Sequence, residues 1–422
     1  MKYKANIFDN VEYLGDVTGF NDHQLHCVIY LKNQLNADTM EKAVKILIKT
    51  IPILSRVYRN YGGDCFWEDT NNPNWKDLFT IVHNKEDFDK FTFSKTDEAT
   101  GPQIKVCLLQ SDHDALSIIM NHMVGDAASF KQCIYLLADI YSKLIKDQSY
   151  VPDYIIDGDR SIKNITKKVG FFYIIKSLFF GSKDNNLSTE EFPFSKEEEV
   201  SPLIAVHEIL PGTFLKIRNL CKSDNVTIND VIITAYLRVL SEELKLNGKE
   251  LELPFMIDMR KYLEDKSFHS LANLSSTATL SSNVIPGEDF RQSLNRVSAA
   301  MNAKKSEQLG MHTVLNLRML SILFPKKSYS ILEDTLNNPK ICMTNIGVLD
   351  SERLIFGDSE VTNVIMCGSI KYRPHLQMSV STFNDKMTLC VNLYGSKSDR
   401  DNITRFLKAV EKELVNYTAS QD

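Results

Sequence analysis

The chain lacks most of the features that would assign it to a class on sight. Its eight cysteines in 422 residues are too few for a disulfide scaffold, and the closest pair, Cys367 and Cys390, is 23 residues apart, which leaves no CxxC-type zinc ligand pair. Several cysteines sit in apolar runs, Cys107 in IKVCLL and Cys390 in MTLCVNLY, so buried free thiols in a reducing, cytoplasmic setting are expected. Neither sign of charge dominates: Lys+Arg number 49 and Asp+Glu 54, a net charge of -5, which gives no support to nucleic acid as a partner. No apolar run reaches the roughly 18 residues of a membrane span. The opening MKYKANIFDNVEYLG starts basic but never develops the apolar stretch of a signal peptide. Also absent are the GxSxG nucleophile elbow, the GxxxxGK[ST] phosphate loop and the GxGxxG dinucleotide turn. No metal site and no tightly bound cofactor is therefore expected.

What remains is ordinary globular protein, with 43% hydrophobic and 24% charged residues, and a length that suggests two or three domains. One shift in composition divides it. Residues 181–202, GSKDNNLSTEEFPFSKEEEVSP, are polar and acidic with two prolines and read as a linker or crossing segment between an N-terminal lobe, 1–180, and a C-terminal lobe, 203–422. In the first part a strand is expected at 23–31, then a helix opened by a capping box at Asp38–Glu41 and ended by Pro52. A hairpin follows at Tyr61–Asp64, then buried strands at 104–108 and 115–120, then a long helix from Ala127. The second part repeats the grammar, with strands at 203–209, 252–258, 341–343, 376–382 and 387–394. Its helices are entered at Pro211 and Thr227, and a last one is expected at 401–416. Both halves mix strands and helices, as two similar α/β lobes would.

Two segments invite a sharper reading. Residues 169–180, VGFFYIIKSLFF, are too short to span a bilayer. They fit a helix packed on the body or a greasy lip over an apolar substrate or membrane surface. His23 and His26 fall at odd spacing on an expected strand, pointing to opposite faces, as strand histidines more than as ligands.

The stretch that carries chemistry is Asn121-His122-Met-Val-Gly125-Asp126-Ala127. A His four residues before an Asp is weak evidence alone, since roughly 0.7 such pairs are expected by chance in this chain. A second pair, His83 and Asp87 in HNKED, has the same spacing and reads as surface decoration in a charged loop. At 122 the context differs: an apolar strand precedes and an amphipathic helix follows, so the imidazole is aimed from a strand end. Gly125 allows a tight turn, and Asp126 folds back to cap the helix or to pair with an arginine. A histidine so held suits a general base near neutral pH.

That stretch resembles the HHxxxDG signature of the chloramphenicol acetyltransferase-like superfamily, which includes condensation domains and alcohol acyltransferases. Other segments agree in order: Ala37–Ala43 followed by Pro52–Tyr58, Thr227–Val231, the Pro254-Phe-Met-Ile-Asp-Met-Arg260 run, and Thr344-Asn345-Ile-Gly347. The resemblance implies an α/β fold of two similar lobes, each a mixed β-sheet flanked by helices, V-shaped with a central tunnel. It also implies transfer of an acyl group from a thioester, on coenzyme A or on the phosphopantetheine arm of an acyl- or peptidyl-carrier protein, to a small-molecule alcohol or amine. His122 is then the base and Asp126 a structural partner of an arginine, either Arg260 or Arg56. Asn345 with Gly347, or Ser379 and Ser381, are the candidate oxyanion donors. The sequence departs from the signature at two points: Asn121 replaces the first His and Ala127 the Gly. The "DFGWG" element of plant acyltransferases is absent. Two alternatives stay open, an amide-forming condensation enzyme of a peptide pathway and a superfamily member that binds without chemistry.

Overall fold

The computed structural model describes residues 1–70, 75–167, 189–306 and 308–419. The aromatic segment 169–180 and the acidic stretch as far as residue 188 lie outside the described residues.

Two large sheets carry the two lobes. The first has five strands in the order Val361–Cys367, Gln24–Leu31, Ala115–Asn121, Ile104–Leu109, Phe79–Val82, antiparallel except for the last pair. The second has seven and is mixed, its centre formed by Glu250–Asp258, Ile341–Leu349, Leu376–Phe383 and Lys386–Gly395. Ala115–Asn121 is buried at every position, as suits a strand covered on both faces. It feeds directly into the helix Ala127–Lys146. The stripe Cys133, Leu136, Leu137, Ile140, Tyr141 and Leu144 of that helix is buried, and it packs on the helix Ala37–Thr50. In the second lobe Ile228–Glu243, opened by a reciprocal cap between Thr227 and Asp230, packs against Phe290–Ser306 and Lys397–Ala419. All eight cysteines are buried free thiols. Trp67 is buried in the hairpin strand Asp64–Glu68 and donates its indole N–H to Asp9 Oδ2 at 2.8 Å.

The lobes are joined by an exchange that no local pattern foretold. Val361–Cys367, late in the chain, leaves the second lobe to pair with Gln24–Leu31 of the first, Met366 opposite Cys27. A few residues on, Asn21 bridges Lys371, and Ile370 N–H donates to Asp22 Oδ1 at 2.8 Å. The described end of the acidic stretch is anchored on the second lobe. Phe192 is buried edge-on to Phe406, and Ser195 N–H donates to Asp399 Oδ1 at 2.6 Å.

Four local expectations need correction. The helix Ala37–Thr50 is capped by Asn36, whose side chain accepts from Thr39 N–H, and not by Asp38, which falls inside its first turn. The charged stretch at 83–87 is no loop: Asn84 caps a helix, Lys85–Thr92. His23 precedes its strand, with φ at 42°, because the chain turns there to let Asn21 meet the second lobe. A helix at Ile7–Val17, closed at its start by a box between Asn6 and Asp9, was not foreseen, and it brings Glu12 to 3.7 Å from His122.

Candidate active site

His122 follows the last residue of the buried strand, and its backbone is fixed on both sides. Its N–H donates to His23 O at 2.8 Å, and its carbonyl accepts from Asn273 Nδ2 at 2.7 Å. The turn beyond it is held from within and from outside. Asn121 Oδ1 accepts from Met123 N–H at 2.9 Å, and Arg160 donates to the carbonyls of Met123 and Val124 at 3.0 and 3.2 Å. Arg160 is itself gripped by both oxygens of the fully buried Asp9, at 2.8 and 3.0 Å. Asn121, in the place of the first signature histidine, thus works as a turn former.

The imidazole keeps 19% of its surface exposed. Its Nδ1 is buried, with no hydrogen-bond partner among the described residues, and lies 3.7 Å from Glu12 Oε1 on the helix Ile7–Val17. Beneath it is a second histidine of opposite character. His23 is 2% exposed, its Nδ1 3.4 Å from Asp16 and its Nε2 3.3 Å from Glu98. Burial alone would push that imidazole down, but the two carboxylates prevail and carry it up to about 9. It is a fixed cation across the neutral range and no candidate base.

Asp126 settles the choice between the two arginines. Its Oδ1 accepts from Ser129 N–H at 3.0 Å, capping the helix. Its Oδ2 accepts from Arg260 Nη1 and Leu274 N–H, each at 2.8 Å. Burial pushes the carboxyl up, yet the Arg260 guanidinium and the two N–H donors outweigh it and hold it below the usual carboxylate range. Arg260 also donates to Ser129 Oγ, Ala272 O and Asp258 Oδ1 at 2.8, 3.0 and 3.1 Å. Asp126 and Arg260 therefore rivet the first turn of one lobe's helix to the strand end of the other. Arg56 is engaged elsewhere, with Asp157 through two bonds of 2.7 Å and with Asp69 at 2.9 Å. Gly125 is needed for closeness more than for turn geometry, since its φ is not positive. A Cβ there would stand 2.8 Å from Ser129 Cβ.

Asn345 makes its hydrogen bonds to residues outside this loop. It lies exposed at a bulge, its Oδ1 accepting from Gly347 N–H at 2.9 Å and its Nδ2 donating to Asn229 Oδ1 at 3.3 Å. Ser379 and Ser381 are buried in the next strand, opposite Thr344 and Gly347. Of the larger cavities described, of about 990 and 760 Å³, both are lined by Gln132 and His269 and the second also by Lys131 and Arg260; His122 lines neither. Sequence reasoning missed Glu12, Arg160 and Asn273, which belong to no motif and reach the loop only through the fold. Among the described residues no cluster of His, Cys, Asp and Glu could hold a metal ion, and no helix is long and apolar enough to cross a membrane.

Comparison with known proteins adds three kinds of finding. A family model described as the WS/DGAT C-terminal domain matches residues 273–416. No curated protein matches the sequence. Among solved structures, trichothecene 15-O-acetyltransferase from Fusarium sporotrichioides superposes with a TM-score of 0.74 at 12% identity, covering 99% of this chain and 95% of that one. Polyketide synthase associated protein 5 from Mycobacterium tuberculosis gives 0.73 at 12%, covering 100% and 99%. The starter condensation domain of rhizomide synthetase, solved as a mutant with C8-CoA and Leu-SNAC, gives 0.69 at 11%, covering 99% and 94%.

Proposed function

The chain has the two-lobed chloramphenicol acetyltransferase-like fold, and on that premise we propose that it transfers an acyl group from a thioester to an alcohol or amine, with His122 as the base. The observation that carries this is the mounting of His122: an imidazole at a rigid strand end, its backbone pinned on both sides, beside an Asp126 whose carboxylate is taken up by Arg260 and the N–H groups of Ser129 and Leu274. Asp126 is then a structural member and His122 the one that takes the proton, the division of labour that the HxxxD spacing implies.

In the reaction His122 takes the proton of the acceptor as its oxygen or nitrogen attacks the thioester carbonyl. The new C–O or C–N bond forms, and charge collects on the carbonyl oxygen. Collapse of that adduct breaks the C–S bond, and the proton on His122 passes to the departing thiolate. No acyl-enzyme is required, because a thioester is already reactive. The protein supplies position, about 7 kcal/mol or more where alignment is good, and a base that contributes roughly 10²–10⁴-fold. Coenzyme A and carrier-bound phosphopantetheine both satisfy this chemistry as donors.

One observation favours a second reading, a member of the fold that binds without reacting: Asn121 stands where the signature has its first histidine. Thiol release separates the two. With short- and medium-chain acyl-CoA, or acyl-carrier protein, and alcohol or amine acceptors, free thiol appears in proportion to acceptor. His122→Ala lowers it about a hundredfold or more with the melting transition unchanged. Turnover equal to wild type in that mutant removes His122 as the base, and no acceptor-dependent thiol from any donor favours the binding reading.

A further inference from the structure

We propose that Glu12 is a positioning residue that selects the tautomer of His122, keeping the proton on Nδ1 so that Nε2 presents the lone pair. The effect on turnover rests on the acyl-transfer reading above; the tautomer itself does not.

A neutral imidazole has one donor nitrogen and one acceptor nitrogen, whereas an ionised carboxylate can only accept. Nδ1 of His122 is buried and has no hydrogen-bond partner among the described residues, and the ion-pair contact it makes is with Glu12 Oε1 at 3.7 Å. A carboxylate in that position favours a proton on the nitrogen facing it. Both ends of the contact are rigidly mounted. His122 is tied through its N–H and carbonyl. Glu12 rides on a helix whose capping Asp9 is locked by Arg160 and Trp67. Closing 3.7 Å to a hydrogen bond takes less than about 1 Å of side-chain movement, the tightening that catalytic contacts undergo when substrate binds.

The same helix repeats the device one turn later. Asp16, four residues after Glu12, faces Nδ1 of His23 at 3.4 Å, and His122 N–H donates to the carbonyl of that same His23. His23 has a second carboxylate, Glu98, on its other nitrogen, and the two carboxylates carry it up to about 9; His122 has Glu12 on one side and 19% of its surface open. Other charges near the loop are spoken for: Asp126 by Arg260, Asp9 by Arg160, Asp16 by Lys95. Lys371, with its amine 3.8 Å from the centre of the Phe20 ring, is pushed down by its burial, and Glu12 is among the groups that oppose that shift.

The test uses the full chain with ¹⁵N-labelled histidine, its His122 signals assigned by their loss in His122→Asn. The wild type is expected to show the Nδ1–H tautomer, and Glu12→Met, which offers only a weak, uncharged thioether acceptor, to shift the population toward Nε2–H. Glu12→Gln, which keeps an amide oxygen, falls between. In parallel, kcat for thiol release on the alkaline plateau drops about tenfold in Glu12→Met with KM unchanged, the signature of an interaction used in the transition state. The same tautomer pattern in wild type and Glu12→Met overturns the proposal, as does an unchanged kcat. Wild type that releases no thiol sinks the transfer reading alone, and the spectra still decide this one.

Discussion

The chain has two His-x-x-x-Asp stretches, and their local grammar is nearly the same. His83 follows the strand Phe79–Val82 and precedes the helix Lys85–Thr92; His122 follows Ala115–Asn121 and precedes Ala127–Lys146. The difference begins with which residue caps the helix. Asn84 caps the first, leaving Asp87 on the surface, 53% exposed and 3.9 Å from Lys90. Asp126 caps the second and is 1% exposed, so its remaining lone pairs must be satisfied inside the protein. Arg260 comes from the other lobe to do so. Spacing therefore finds both stretches, but only the cross-lobe cation sets the buried one apart.

Removing that cation has the largest expected effect. Arg260→Met leaves a buried carboxylate without its counter-ion, a loss of about 3–5 kcal/mol, measurable as a lowered urea midpoint. The matching change at the other stretch, Asp87→Asn together with His83→Ala, stays within about 0.5 kcal/mol and leaves thiol release at the wild-type rate. If the two sets of mutants cost the same, the comparison fails.

A third histidine sharpens the contrast at an intermediate size. His23 is held up to about 9 in the folded state against about 6.5 unfolded, burial lowering it and Asp16 and Glu98 raising it further. A raised histidine stabilises the fold fully below about pH 6.5, and that contribution fades as pH climbs through 9. It amounts to about 3–4 kcal/mol at most, one pKa unit being about 1.4 kcal/mol. Unfolding free energies measured from pH 6 to 10 should fall along this course in wild type and lie flatter in His23→Gln. Parallel curves for the two proteins would show that His23 does not carry the charge.

Much of the frame was legible. Ala115–Asn121 is apolar enough to mark a buried strand, and the stripe from Cys133 to Leu144 marks the helix after it, so the loop between them could be located. Thr227 and Asp230 announced their helix by a reciprocal cap that is complete within four residues. The Asn36 cap was misplaced by two residues because Asp38 and Glu41 offer a competing box pattern. Val361–Cys367 was missed for a different reason. It is a short segment whose partner strand lies more than 300 residues earlier, and nothing near it specifies that pairing.

Periodicity and caps are settled by hydrogen bonds and side-chain faces a few residues apart, and for this protein the sequence alone determined those: the strand–loop–helix that presents His122, and the α/β character of both halves. Which arginine meets Asp126, which carboxylate faces Nδ1 of His122, and which strand closes the first sheet were decided only by the tertiary structure. Asp126 and Arg260 are 134 residues apart. Arg56 and Arg260 carry the same guanidinium, and no property of either side chain could rank them until folding brought one within 2.8 Å and engaged the other with Asp157 and Asp69.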